Sequence, residues 1–155
     1  MQRVVRPPIM TLVLLCVSAG AVAGEGHEGL RFHDPWVREV PPVVERSAGY
    51  VRIENTSGSV RRLVGIESPY FEAAELHETQ EQDGKARMVE REQITIPAGE
   101  TRTLEPMGKH IMLIGRKPDA LTQADGDTVT MRLRFDNGHT AEIEAPVLRY
   151  APGTD

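Results

Sequence analysis

Several of the chain's five histidines and six methionines stand where an apolar core has no use for them. In 109–115, "KHIMLIG", period-two alternation sends Ile111, Leu113 and Gly115 to one face and His110, Met112 and Ile114 to the other. The first set is an ordinary buried strand face; the second puts an imidazole beside a thioether. In "AELHET" (74–79), His77 shares a face with Glu75 and Thr79, away from Ala74, Leu76 and Glu78. Met88 lies in the polar run "KARMVE" and Met107 in the polar turn "EPMGK". Imidazole and thioether together suit Cu(I), a soft d10 ion, and suit Zn2+, Mg2+ or Ca2+ poorly. Two of each fill a tetrahedral site with a neutral ligand set, which favours Cu(I) over Cu(II). Methionine carries no titratable proton, so only the imidazoles make such binding depend on pH. The remaining residues of these types have structural readings. Met131 belongs to the core face of "TVTMRLRF", His139 follows a hairpin Asn-Gly and is expected to be exposed, and His33 packs or bonds locally beside Pro35 and Trp36.

The elements that must carry these donors are strands. Strand signals run over 30–37 (interrupted at Pro35), 48–53, 60–66, 74–79, 86–89, 93–96, 101–104 and 109–115. The clearest is 128–135, where Val129, Met131, Leu133 and Phe135 alternate with polar residues. Its return strand continues with Ala141, Ile143, Ala145 and Val147. "DNGH" (136–139) joins the two as a hairpin turn, Asn-Gly favouring positive φ at both central positions. "QEQDGK" (80–85) reads as a polar loop, and 117–127 has room for a short helical turn. Many short strands with turns between them predict an all-β fold, an antiparallel sandwich or barrel.

Length and charge narrow the class. The chain has 155 residues, enough for one domain, and a net charge of -5 with no basic patch, which speaks against nucleic acid as a partner. Residues 1–23 read as a cleaved secretory signal peptide, with Arg3 and Arg6, an apolar stretch, and Ala21-Val22-Ala23 before the cut. The apolar stretch is shorter than the roughly 20 residues a bilayer span needs, so no membrane insertion is expected after removal. Cys16, the only cysteine, leaves with that segment, and Leu15 before it is not the small residue a lipidation site prefers. The mature chain then holds 16 basic against 23 acidic residues, a net of -7, with no thiol. A thiol-free metal site suits an oxidising compartment. Residues 24–29 form a flexible leader, 30–148 the domain and 149–155 a frayed tail. A mature start at Glu25 would make His27 the third residue, an amino-terminal arrangement for Cu(II). The carboxylate pairs lie in loops or on solvated faces, and phosphate-cradling loop and nucleophile elbow are both missing, so no catalytic residue is assigned. A metal-free β-sandwich for adhesion or interaction is the competing reading.

The spacing His77, ten residues, Met88, twenty-one residues, His110, one residue, Met112 resembles the H-x10-M-x21-H-x-M pattern of the periplasmic copper chaperones called PCu(A)C. The segments "DPWVREVPP", "AGYVRIEN", "RLVGIESP", "AELHET", "ITIPAGET", "HIMLIG" and "GDTVTMRLRF" resemble that family too, over roughly residues 30–147. The resemblance implies a cupredoxin-like, Greek-key type β-sandwich with one exposed Cu(I) site, its ligands His77, Met88, His110 and Met112. It implies delivery of copper in the periplasm for assembly of the CuA centre of cytochrome c oxidase. The acceptor is then an oxidase subunit or a thiol-based copper chaperone, with general copper storage or tolerance as the alternative role. The loop "ETQEQDGKAR" lacks the further methionine often found beside the site in such proteins. Met107, in a turn where glycine is common among them, offers a replacement sulfur.

Overall fold

The structure is a computed structural model that describes residues 29–117 and 126–153. The signal segment, His27 and most of the stretch with room for a helical turn lie outside the described residues. Among the described residues, ten strands make up the fold: β1 (Leu30–Arg38), β2 (Arg46–Asn55), β3 (Arg61–Glu67), β4 (Phe71–Gln82), β5 (Lys85–Glu90), β6 (Ile94–Ile96), β7 (Thr101–Leu104), β8 (Lys109–Arg116), β9 (Thr128–Phe135) and β10 (Thr140–Leu148). They hydrogen-bond in the order β5-β4-β8-β2-β1-β10-β9-β3-β6, with β7 paired to β2. Every pairing is antiparallel except β1 with β10, where the first and last strands run side by side.

The sheet folds about that seam into two packed layers. β5, β4, β8, β2, β1 and β7 form one layer, and β10, β9, β3 and β6 the other. Period-two alternation fills the space between them. Val129, Met131, Leu133 and Phe135 from β9 and Ala141, Ala145 and Val147 from β10 are almost wholly buried. Ile53, Leu63, Ile111 and Leu113 join them. Burying each large aliphatic or aromatic side chain contributes about 1.5–3 kcal/mol, which lets the domain hold without a disulfide. Contact between the layers is close at Gly49, where an added Cβ would lie 2.9 Å from Met131 Sδ. The predicted all-β sandwich is therefore the fold observed.

Local differences have local causes. The interruption at Pro35 is a register shift between His33 and Trp36, with Asp34 at φ 48, and β1 continues beyond it. The polar loop over 80–85 contracts to two residues, Asp83 and Gly84, at φ 53 and 71. That is an Asp-Gly hairpin turn, which lets β4 and β5 extend toward each other. In the β9–β10 turn only Gly138 takes positive φ, not both central residues. His139 is half-buried rather than exposed, its ring 6.3 Å from that of Phe135. His33 bonds across to β2 rather than locally beside Pro35 and Trp36, its Nε2 lying 2.8 Å from Glu54 Oε2.

Candidate metal centre

β4 lies between β5 and β8, and the register decides which side chains meet. His77 stands opposite His110 on β8 and Glu90 on β5. Glu75 stands opposite Met112, and Thr79 opposite Met88. Directly opposed residues of an antiparallel pair share a face. His77, Met88, His110 and Met112 therefore occupy one face, the reverse of the one where Leu76, Ile111 and Leu113 enter the core. The two imidazole rings have centroids 5.9 Å apart and planes inclined at 52°.

Each ring is held by one nitrogen and leaves the other bare. His77 Nε2–H donates to Glu75 Oε2 at 2.9 Å, and its Nδ1 is buried without a partner. His110 Nδ1–H donates to the Gly108 carbonyl at 3.1 Å, and its Nε2 is likewise buried and unpartnered. A carbonyl oxygen only accepts, so His110 donates from Nδ1, and Nε2 is the buried nitrogen left to take a ligand. Buried polar atoms are almost always paired, so two orphan imidazole nitrogens on neighbouring strands need an explanation. Metal-binding histidines have this arrangement, one nitrogen donating to a carboxylate or carbonyl and the other free to ligate.

Met88, Met107, His110 and Met112 line a cavity of about 270 Å3 together with Tyr50 and Arg38. His77 is not among its lining residues and joins the group through the His110 ring. The walls grade from closed to open: His110 is 3% exposed, Met88 60% and Met107 76%. Met88 and Met107 are thus exposed and Met112 half-buried, while the His110 ring is buried. Burial raises the Tyr50 phenol's pKa, with Arg38 opposing, so that wall of the cavity is a neutral hydroxyl. On the reverse face, hydrogen bonds from Lys109 and Arg91 hold the Glu78 carboxyl below its ordinary value. They tie β4 to the start of β8 and the end of β5. Among the described residues, no three His, Asp or Glu side chains group as a hard divalent ion requires. Bare imidazole nitrogens beside thioethers fit a soft monovalent ion.

Two participants were not assigned from sequence. Glu75 was read only as a face-mate of His77, although an acid two residues away on one strand face is placed to orient the ring. The Gly108 carbonyl, which holds His110, is a backbone group with no signature in the sequence.

The model of a family described as "Putative lipoprotein LpqE-like" matches residues 30–147. The "Putative lipoprotein Lxx21020" of Leifsonia xyli subsp. xyli is 30% identical over 154 residues, covering 94% of this chain and 90% of that protein. Among solved structures, the copper-bound PCuAC domain from PmoF2 superposes with a TM-score of 0.64 at 22% identity, covering 80% of this chain and 94% of that one. The solution structure of CuI-DR1885 from Deinococcus radiodurans gives a TM-score of 0.59 at 34% identity, over 74% of this chain and 75% of that one.

Proposed function

The chain belongs to the LpqE-like family and has the fold of PCuAC domains, and from that premise we propose that it is an exported Cu(I) carrier. Its ligands in this reading are His77, Met88, His110 and Met112, and copper is its cargo. The observation that carries the reading is the pair of buried, unpartnered imidazole nitrogens, one on each of two adjacent strands, on a face that also bears two thioethers. Likeness to a Deinococcus radiodurans protein solved as its Cu(I) form supports the choice of ion. All four donors are neutral, so the site keeps the single charge of Cu(I) and gives little advantage to Cu(II). Partial exposure suits a protein that hands its ion to another, since an acceptor's donors must reach the metal. The acceptor in this reading assembles the CuA centre of cytochrome c oxidase, directly or through a thiol-based chaperone.

Export follows from the segment over 1–23, and the protein acts in the periplasm once that segment is cut after Ala23. Its relatives carry the word lipoprotein in their names. Here Leu15 precedes Cys16, and we read the mature protein as soluble. Mass spectrometry of the mature amino terminus tests this: a lipid on Cys16 would replace the soluble form by an anchored one.

The site itself is tested by anaerobic titration of the mature protein with Cu(I) against a colorimetric chelator. One tightly held equivalent is expected for the wild type. Met88→Leu combined with Met112→Leu removes both sulfurs and keeps the bulk. Undiminished affinity in that double variant would place the copper elsewhere.

A further inference from the structure

Met107 stands at a backbone position that asks for another residue. Gly108 N–H donates to the Glu105 carbonyl at 3.1 Å, closing a four-residue turn with Pro106 second and Met107 third. Met107 has φ 65. Proline second and positive φ third is the type II pattern, whose third position favours glycine or asparagine. A methionine there strains the backbone. It also gains little from packing, being 76% exposed. Neither conformation nor burial accounts for it.

What Met107 does bring is a thioether side chain at the cavity that Met88, His110 and Met112 also line. The turn is held firmly beside them. The Gly108 carbonyl accepts both from Thr79 N–H at 3.0 Å and from His110 Nδ1–H at 3.1 Å. The residue next to Met107 thus fixes the ring of His110 and binds the turn to β4.

We propose that Met107 is a third thioether donor of the copper centre, an entry and exit ligand that takes the ion when Met88 or Met112 lets go. This rests on the carrier reading above. Copper stays Cu(I) throughout, and one neutral sulfur replaces another, so no electron or proton moves. Four donors saturate the tetrahedral ion, and the fifth acts by exchange.

Methionine methyl NMR of the mature protein, labelled at the methionine ε-methyl carbons and loaded anaerobically with Cu(I), tests the proposal. Shifts are expected for Met88, Met107 and Met112, while Met131, buried in the core, stays in place and reports the intact fold. Met107→Leu keeps the bulk and the backbone strain but removes the sulfur. It is expected to pass Cu(I) to a colorimetric chelator several-fold more slowly than the wild type. Should the leucine disturb the turn, Met107→Gly, which suits the φ, gives the same kinetic comparison. An unmoved Met107 signal with Met88 and Met112 shifted, or exchange at the wild-type rate, overturns the proposal and leaves the carrier reading standing. No shift at any of the three overturns both.

Discussion

Replacing His110 with leucine is expected to strengthen the metal-free fold while abolishing copper binding. The wild-type ring is 3% exposed and keeps Nε2 buried without a partner. An orphaned buried nitrogen costs about 1–3 kcal/mol, and leucine removes it. The substitution also deletes the Nδ1–H bond to Gly108, worth about 1 kcal/mol. That carbonyl is not left bare, because Thr79 N–H still donates to it at 3.0 Å. A buried leucine adds some apolar transfer energy in place of the imidazole. The balance is a gain of about 1 kcal/mol, which for a domain of this size raises Tm by about 3–5 °C. Copper reverses the order. Free Cu(I) at a hundred times its dissociation constant stabilises the wild type by about 2.7 kcal/mol, and the variant by nothing. Thermal melts with and without Cu(I) therefore cross: the variant is the more stable in the apo state and the wild type when loaded. An apo His110→Leu protein melting several degrees below the wild type would refute the claim that function keeps this nitrogen unpaired.

Further perturbations test the surrounding structure. Met107→Gly relieves about 1–2 kcal/mol of left-handed strain and gives back about 0.5–1 kcal/mol in unfolded-chain entropy, so urea unfolding should show a net gain of under about 1.5 kcal/mol; a loss would contradict the type II turn. Glu75→Ala frees the His77 ring and should weaken Cu(I) binding about 10–100-fold in chelator competition, and unchanged affinity would remove Glu75 from an orienting role. Gly49→Ala sets a Cβ 2.9 Å from Met131 Sδ, and overpacking of that kind costs about 1–3 kcal/mol by denaturant midpoint. Burial opposes ionisation of Asp136, yet hydrogen bonds from the Arg62 guanidinium and backbone N–H hold its pKa below the usual 3.8. A lowered folded pKa means stability present above the unfolded value and lost as pH falls through the folded one. Asp136→Asn should therefore flatten the acid limb of a stability–pH profile below about pH 4, by no more than the roughly 1 kcal/mol of an exposed pair.

The strands of this fold were legible because its sheet layers each have one face in the core, which forces period-two alternation onto Val129–Phe135 and Ala141–Val147. The same rule separated His110 and Met112 from Ile111 and Leu113. Alternation cannot fix which strands pair, so the grouping of His77 with His110 rests on the family resemblance, and their facing is set by the β4–β8 register. Turn lengths were less legible. The Asp83-Gly84 turn is a strong hairpin signal, but the polar residues around it masked how far β4 and β5 extend. At His110 alternation gives the face but not the depth: the buried ring shares its pocket with Tyr50 of β2, far from it along the chain, and with Pro106 and Met107 of the turn just before β8. The backbone carbonyl of Gly108 has no side chain to announce it.

In the proposed site, the order in which donors release copper follows from where the fold roots them. β4 and β8 each have a strand on both sides, and their imidazoles are fixed by Glu75 and Gly108. Met112 sits half-buried on β8, next to Ala48 of β2. Met88 is on β5, the end strand of the order, every residue of which is exposed. Moving a well-packed ligand disturbs its neighbours, whereas a side chain already 60% exposed swings away with little loss of burial. Met88 should therefore leave first and an acceptor's sulfur should enter from the β5 side. Met88→Ala then barely changes apo stability and speeds copper loss to a chelator, while Met112→Ala also lowers the apo melting temperature because it empties a partly buried position. Equal stability losses in the two variants would mean that β5 is not the open side.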